Sequence, residues 1–175
     1  MFVLKIDKHL TLQTLKPQDA KQFHKLAVKN LPRLFWWHDI HLTEDFITGL
    51  LSRVADKSWR YHTIWLGGVY FNHQLIGSVS LNTINWQQRV ATLGYWLDID
   101  FTGQGIIHRC ADKLVQYCFS RLKLRTIEIH CHAGNTASIA VAKRLGFEIE
   151  QKLRQAGVVD GEAVDIYVFR KRAID

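Results

Sequence analysis

The stretch Leu93-Gly94-Tyr95-Trp96-Leu97-Asp98-Ile99-Asp100-Phe101-Thr102-Gly103-Gln104-Gly105-Ile106-Ile107 leaves this chain few ways to fold. A strand pattern ends at Leu97, a loop with two glycines follows, and an amphipathic helix pattern begins. The helix reads as Gly105 to Arg121, with Ile107, Cys110, Ala111, Leu114, Cys118 and Leu122 on one face. Gly103 and Gly105 let backbone N–H groups converge without obstruction by side chains. The helix N-terminus adds unpaired N–H donors and positive dipole potential, which suits a pyrophosphate. A loop that merely needs glycine would look the same, so both readings stay open on these residues alone. Neither a G-x-x-x-x-G-K-[ST] motif nor the third glycine of a dinucleotide fingerprint is present.

Around this segment the pattern is mixed. Val3 to Leu15 alternates through Leu4, Ile6, Leu10 and Leu12 and reads as a strand or hairpin edge. Pro17-Gln18-Asp19 opens a helix with Phe23, Leu26, Ala27 and Leu31 as its stripe. Thr43, Glu44 and Asp45 start a second, carried by Phe46, Ile47, Leu50, Leu51 and Val54. Tyr61 to Phe71, Leu75 to Ile84 and Val90 to Leu97 read as an antiparallel meander with short polar turns. After the glycine loop and its helix come a strand at Arg125 to Cys131 and a short helix at Asn135 to Leu145, ended by Gly146. Strands at Phe147 to Leu153 and Val164 to Arg170 then join across Asp160-Gly161. The expectation is one α+β domain over residues 1–175, with a mixed, mostly antiparallel central sheet flanked by helices. Too few helices alternate with strands for a doubly wound fold.

Composition narrows the function classes. Hydrophobic residues at 47% and charged residues at 22% match globular usage and exclude disorder and collagen. Apolar runs such as Leu66 to Phe71 fall far short of the ~20 residues of a membrane span. Met1 to Leu12 lacks a signal-peptide apolar core, so a cytoplasmic protein is expected. Cys110 and Cys118 sit on one helix about 12 Å apart, beyond disulfide reach. With Cys131 the third, all are expected as reduced thiols. His130-Cys131-His132 is too tight for tetrahedral ligation, so no metal is expected. The net charge of +7 points to an anionic partner: nucleic acid, a phosphorylated cofactor or an acidic protein.

Beyond the glycine loop lie Asn135-Thr136-Ala137-Ser138 and Arg144-Leu145-Gly146-Phe147. A strand, Gly103-Gln104-Gly105 and a helix, followed by these two segments, resemble the GNAT superfamily of acetyl-CoA-dependent N-acetyltransferases. The resemblance runs from about Tyr61 to Asp175. Gly94-Tyr95-Trp96-Leu97-Asp98, Gly103-Gln104-Gly105-Ile106, Leu153-Arg154-Gln155-Ala156 and Arg172-Ala173-Ile174-Asp175 are similar to its RimL/RimJ-like branch, which acetylates the N-termini of ribosomal proteins.

The resemblance implies a GNAT-like fold with acetyl-CoA as co-substrate. The family's Q/R-x-x-G-x-G/A signature falls on Thr102 to Ile107; Gly105 matches, whereas Thr102 and Ile107 depart. It implies pyrophosphate contacts at Gly103, Gln104, Gly105, Ile106, Ile107 and His108. Trp96 and Leu97 fall on the strand that parts from its neighbour to pair with the pantetheine arm. Backbone N–H groups near Leu97 would stabilise the oxyanion. Asn135 matches an asparagine that contacts the cofactor arm, and Ser138 a serine that protonates the leaving CoA. Trp36, Trp37 and His38 fall where the family has an acceptor wall; pocket lining and a hydrophobic dimer or core patch both stay open. Tyr95 faces either the acceptor pocket or the core. The branch often has a glutamate base immediately after the R/K-Q-A segment, and here that position is Gly157. Asp165, Glu162, Asp98 through water, Glu128, His130 and His132 are the alternatives.

The mechanism implied is direct attack of a free amine on the thioester, the two reactants held side by side. An α-amine, with a pKa of about 7.7–8.0, is far more often neutral at pH 7 than a lysine amine at about 10.4, and needs a base less. That and the +7 charge favour an acidic protein N-terminus over a polyamine. Acetylation of a small amine and a non-catalytic acyl-CoA-binding module are the alternatives. Nucleic-acid binding rests on charge alone.

Overall fold

The computed structural model describes residues 2–34, 42–55 and 64–174. Its strands are β1 (Val3–Lys5), β2 (Leu10–Thr14), β3 (Trp65–Phe71), β4 (Gln74–Asn85), β5 (Val90–Leu97), β6 (Thr126–His132), β7 (Glu148–Val159) and β8 (Glu162–Arg172). They form one sheet in the order β1-β2-β3-β4-β5-β6-β8-β7. β5 and β6 run parallel; the other neighbours are antiparallel. The helices are α1 (Ala20–Asn30), α2 (Glu44–Ala55), α3 (Ile106–Ser120) and α4 (Thr136–Arg144). This is the mixed, mostly antiparallel α+β architecture expected.

Strand alternation sends successive side chains to opposite faces, and each face is covered. On one, α3 and α4 bring Ile106, Cys110, Leu114, Cys118, Ala142 and Leu145 against Leu93, Leu97, Ile127, Ile129, Cys131 and Phe169. On the other, Phe23 and Ala27 of α1 and Ile47 and Leu51 of α2 pack on Tyr70, Leu75 and Trp96. Trp96 and Leu97, adjacent in sequence, therefore belong to different cores. All three cysteines are buried and free.

Some element bounds differ from the sequence expectation, and one open reading is decided. The N-terminal alternation is a hairpin, β1 with β2. α3 begins at Ile106 because Gly105, at φ 67°, is its left-handed N-cap. β7 and β8 are longer than expected. The register shifts between Leu153 and Gly157, so Arg154-Gln155-Ala156 is absorbed without ending the pairing. The Tyr61–Thr63 part of the expected third strand lies outside the described residues.

β5 and β6 pair only through Val90–Thr126, Ala91–Ile127 and Thr92–Glu128. Beyond that level the ladder stops and a notch opens between them. Counting on in register, Tyr95 comes level with Cys131 and Trp96 with His132.

Candidate active site

Chain direction brings the glycine loop to the open end of the notch. Beyond Leu97, a short 3₁₀ turn at Ile99–Phe101 leads to Gly103 (φ 78°) and Gly105 (φ 67°). Both angles favour glycine, and nothing lies within 4 Å of where either Cβ would stand. Ile106 and Ile107 are buried and pin the first turn of α3 to the core. No side chain caps that turn, and the first bond back into it is from Arg109 N–H to Gly105 O at 3.1 Å. The amides of Ile106, Ile107 and His108 are thus left to the loop side. His108 Nδ1 is buried without a hydrogen-bond partner among the described residues. Open space beside two left-handed glycines and an uncapped first turn fit a pyrophosphate-bearing substrate. Gln104 is exposed at the rim.

The backbone of β5 faces the notch at alternate residues. Asp98 N–H donates to Ile76 O on β4 at 2.8 Å. In an antiparallel ladder alternate residues point to opposite neighbours, so Trp96 shares that direction while Tyr95 and Leu97 turn their N–H groups to the notch. Leu97 O on the same side accepts from Arg33 Nη1 at 3.4 Å. Trp96 itself directs its indole onto α1, edge-on to Phe23 with centroids 5.5 Å apart.

Across the notch, Asn135 caps α4: its Oδ1 accepts from Ser138 N–H at 3.0 Å. Tyr95 reaches over from β5. Its Oη lies 3.0 Å from Ser138 Oγ and donates to Ser138 O at 3.2 Å. Burial pushes the Tyr95 phenol up to about 12, against the opposing Ser138 hydrogen bond. Burial also raises the Cys131 thiol, and a hydrogen bond with Ser138 opposes it. Tyr95, Cys131 and Ser138 therefore form one cluster on the α3/α4 face. Sequence reading had Tyr95 between acceptor pocket and core; its hydroxyl is on Ser138. Trp36 and Trp37 lie outside the described residues.

The alternatives for a base differ in their surroundings. Asp98 is 3% exposed and held by Lys29 at 2.8 Å and Asn30 at 3.2 Å. Burial raises its carboxyl, but those bonds outweigh it and keep it below the usual range. Asn30 Oδ1 also takes Ile99 N–H at 3.0 Å, so α1 ties down the start of the glycine loop. No sequence signal joined residues so far apart. Glu128 is engaged by Arg170 and by His130 Nε2 at 2.8 Å. Asp165 Oδ1 accepts from Gln155 N–H at 2.9 Å, and Glu162 sits exposed beside the β7–β8 turn. His132 ends β6 on the α1/α2 face, opposite Cys131, and burial lowers its pKa, favouring the neutral ring. A Cβ at Gly157 would stand 2.7 Å from Ile166 Cδ1. Ile166 is the strand partner of His132, so that glutamate position opens onto the same face.

A parted pair of parallel strands, a glycine loop on a helix N-terminus at its mouth, and a hydroxyl cluster inside it define an acyl-CoA-dependent transferase. The family description "Acetyltransferase (GNAT) domain" matches residues 9–148, and the chain belongs to this family of acetyl-CoA-dependent N-acetyltransferases. Within it, the chain is 32% identical over 174 residues to YdaF of Bacillus subtilis (strain 168), provisionally named a ribosomal N-acetyltransferase. That match covers 97% of this chain and 94% of YdaF. It is 27% identical to the ribosomal-protein-serine acetyltransferase of Escherichia coli (strain K12), over 96% of this chain and 95% of that one. The structure of the ribosomal L7/L12 α-N-protein acetyltransferase RimL in complex with coenzyme A superposes with a TM-score of 0.91 at 25% identity, covering 98% of each chain. Among the described residues, no helix is long and apolar enough to cross a membrane.

Proposed function

We propose that the chain acetylates the N-terminal α-amine of a ribosomal protein, with an acidic, serine-initiated terminus as the acceptor. The observation that carries this reading is the Asn135–Ser138–Tyr95 constellation in the notch, with the uncapped first turn of α3 at its mouth. Two relatives bearing ribosomal-protein acetyltransferase names over nearly the whole chain support the acceptor class. The +7 charge favours an acidic terminus. It disfavours spermidine, the substrate in the name of a Vibrio cholerae relative only 22% identical. The cytoplasm is the compartment this reading implies.

In this mechanism the amides of Gly103 to His108 take the pyrophosphate, and Leu97 N–H takes the charge that develops on the carbonyl oxygen. Asn135 orders the turn beneath the pantetheine arm. The amine attacks from the α1/α2 face, because Tyr95, Cys131 and Ser138 close the other. Its N–C bond forms first, and the C–S bond breaks as the tetrahedral oxyanion collapses. Neutral His132 accepts the amine proton, and Ser138 delivers one to the leaving sulfur.

Incubating a ribosomal-protein mixture with isotopically labelled acetyl-CoA, followed by mass spectrometry, tests the acceptor. The expected result is label on an N-terminal residue. Label on lysine side chains, or on spermidine in preference to protein, would overturn it.

A further inference from the structure

We infer that Tyr95 is the positioning residue for the proton donor: it spans the notch, fixes the Ser138 hydroxyl and supports Oγ as the proton leaves. The inference rests on the reading of Ser138 as donor and extends it to a residue on another strand.

The geometry carries it. No ladder joins β5 to β6 beyond Thr92 and Glu128. Ser138 belongs to the first turn of the helix that β6 feeds. The Tyr95 Oη–Ser138 Oγ contact of 3.0 Å is therefore a strut between two strands that have already parted. It also sets direction. The Ser138 carbonyl, 3.2 Å from Oη, can only accept. When the phenol donates there, its lone pair receives the Ser138 O–H. The serine N–H is meanwhile fixed by Asn135 Oδ1. Its N–H, C=O and hydroxyl are thus each oriented, two of them by Tyr95.

The same pair accounts for the charge that moves. As the C–S bond breaks with its electron pair on sulfur, the Ser138 O–H swings from Tyr95 Oη to that sulfur and gives up its proton. As Oγ gains negative charge, the Tyr95 O–H turns from the carbonyl to Oγ and stays bonded to it until a solvent proton restores the serine. Burial that raises the phenol keeps Tyr95 an O–H donor in the resting site. The ring also packs against the α3/α4 core, so Tyr95→Phe keeps the packing and removes only the hydroxyl.

The test is a double-mutant cycle read by single-turnover thiol release from acetyl-CoA. A peptide with a free N-terminal serine serves as one acceptor and water alone as the other, so the leaving-group step is read whatever the natural acceptor is. Tyr95→Phe should lower release about 10- to 100-fold, the effect of one hydrogen bond to a developing charge. The KM for acetyl-CoA should stay at its wild-type value, and the variant should still melt cooperatively. Combined with Ser138→Ala, it should cost nothing further. Wild-type release by Tyr95→Phe, losses that multiply in the double variant, or a change confined to KM would each overturn the inference. A larger loss for Tyr95→Phe than for Ser138→Ala would overturn it in favour of Tyr95 as the donor itself. Wild-type release by Ser138→Ala would instead remove the serine reading on which it stands.

Discussion

Gly105→Glu separates a true anion site from a loop that merely turns. Gly105 has φ 67° and ψ 13°. Any L-residue there costs about 1–2 kcal/mol of folding stability, and a carboxylate at the N-terminus of α3 returns about 0.3–1 kcal/mol of it. No atom stands within 4 Å of the added Cβ, so the substitution is not a steric one. What it adds is charge where the pyrophosphate must lie. Two unit charges about 5 Å apart at an effective dielectric of about 20 repel by about 3 kcal/mol. Counterions at physiological salt screen charges at this distance by roughly half. The remaining ~1.5 kcal/mol is roughly tenfold in Kd. Calorimetric titration of CoA into wild type, Gly105→Ala and Gly105→Glu measures it. The alanine variant carries the backbone strain without the charge and should bind near wild type. The glutamate variant should bind at least tenfold more weakly, and the gap should narrow as salt is added. Equal affinities for the alanine and glutamate variants at low salt would refute the reasoning.

Other outcomes follow from the same geometry. His132→Gln should lower kcat near pH 7 by about 100-fold while leaving CoA affinity unchanged; wild-type kcat in this variant removes His132 from the chemistry. With His132 neutral above its lowered pKa, the rise of kcat/KM with pH should follow the acceptor amine at about 7.7–8.0, and N-terminally blocked, lysine-containing peptides should be inert. Blocked peptides turning over as fast as free ones would exclude an α-amine acceptor. Asp98→Asn should cost about 1–3 kcal/mol at pH 6 by weakening the bonds to Lys29 and Asn30. The folded carboxyl titrates below its unfolded value, so this stability is present above about pH 4 and is lost as pH falls through the depressed pKa. Thermal melts of wild type and variant should therefore converge towards pH 3; a constant gap would show that the charge is not responsible.

The elements that sequence alone determined are those governed by local rules. Alternation made Val90 to Leu97 a strand. A 3.6-residue stripe made the segment after Gly105 a helix, and positive φ demanded glycine at positions 103 and 105. Asn135 announced itself as a cap because its partner, Ser138 N–H, is three residues away. Each of these needs information from only a few neighbouring residues. Tertiary structure decided where β5 and β6 part, since a ladder that stops at Thr92 and Glu128 depends on how two separate strands twist over a shared core. It also decided that Tyr95 meets Ser138 and that Asp98 is claimed by α1. Alternation along β5 says that Tyr95 and Trp96 face opposite ways, but not which way each faces. Only packing could decide that, and it gave the indole to Phe23 and the phenol to the serine.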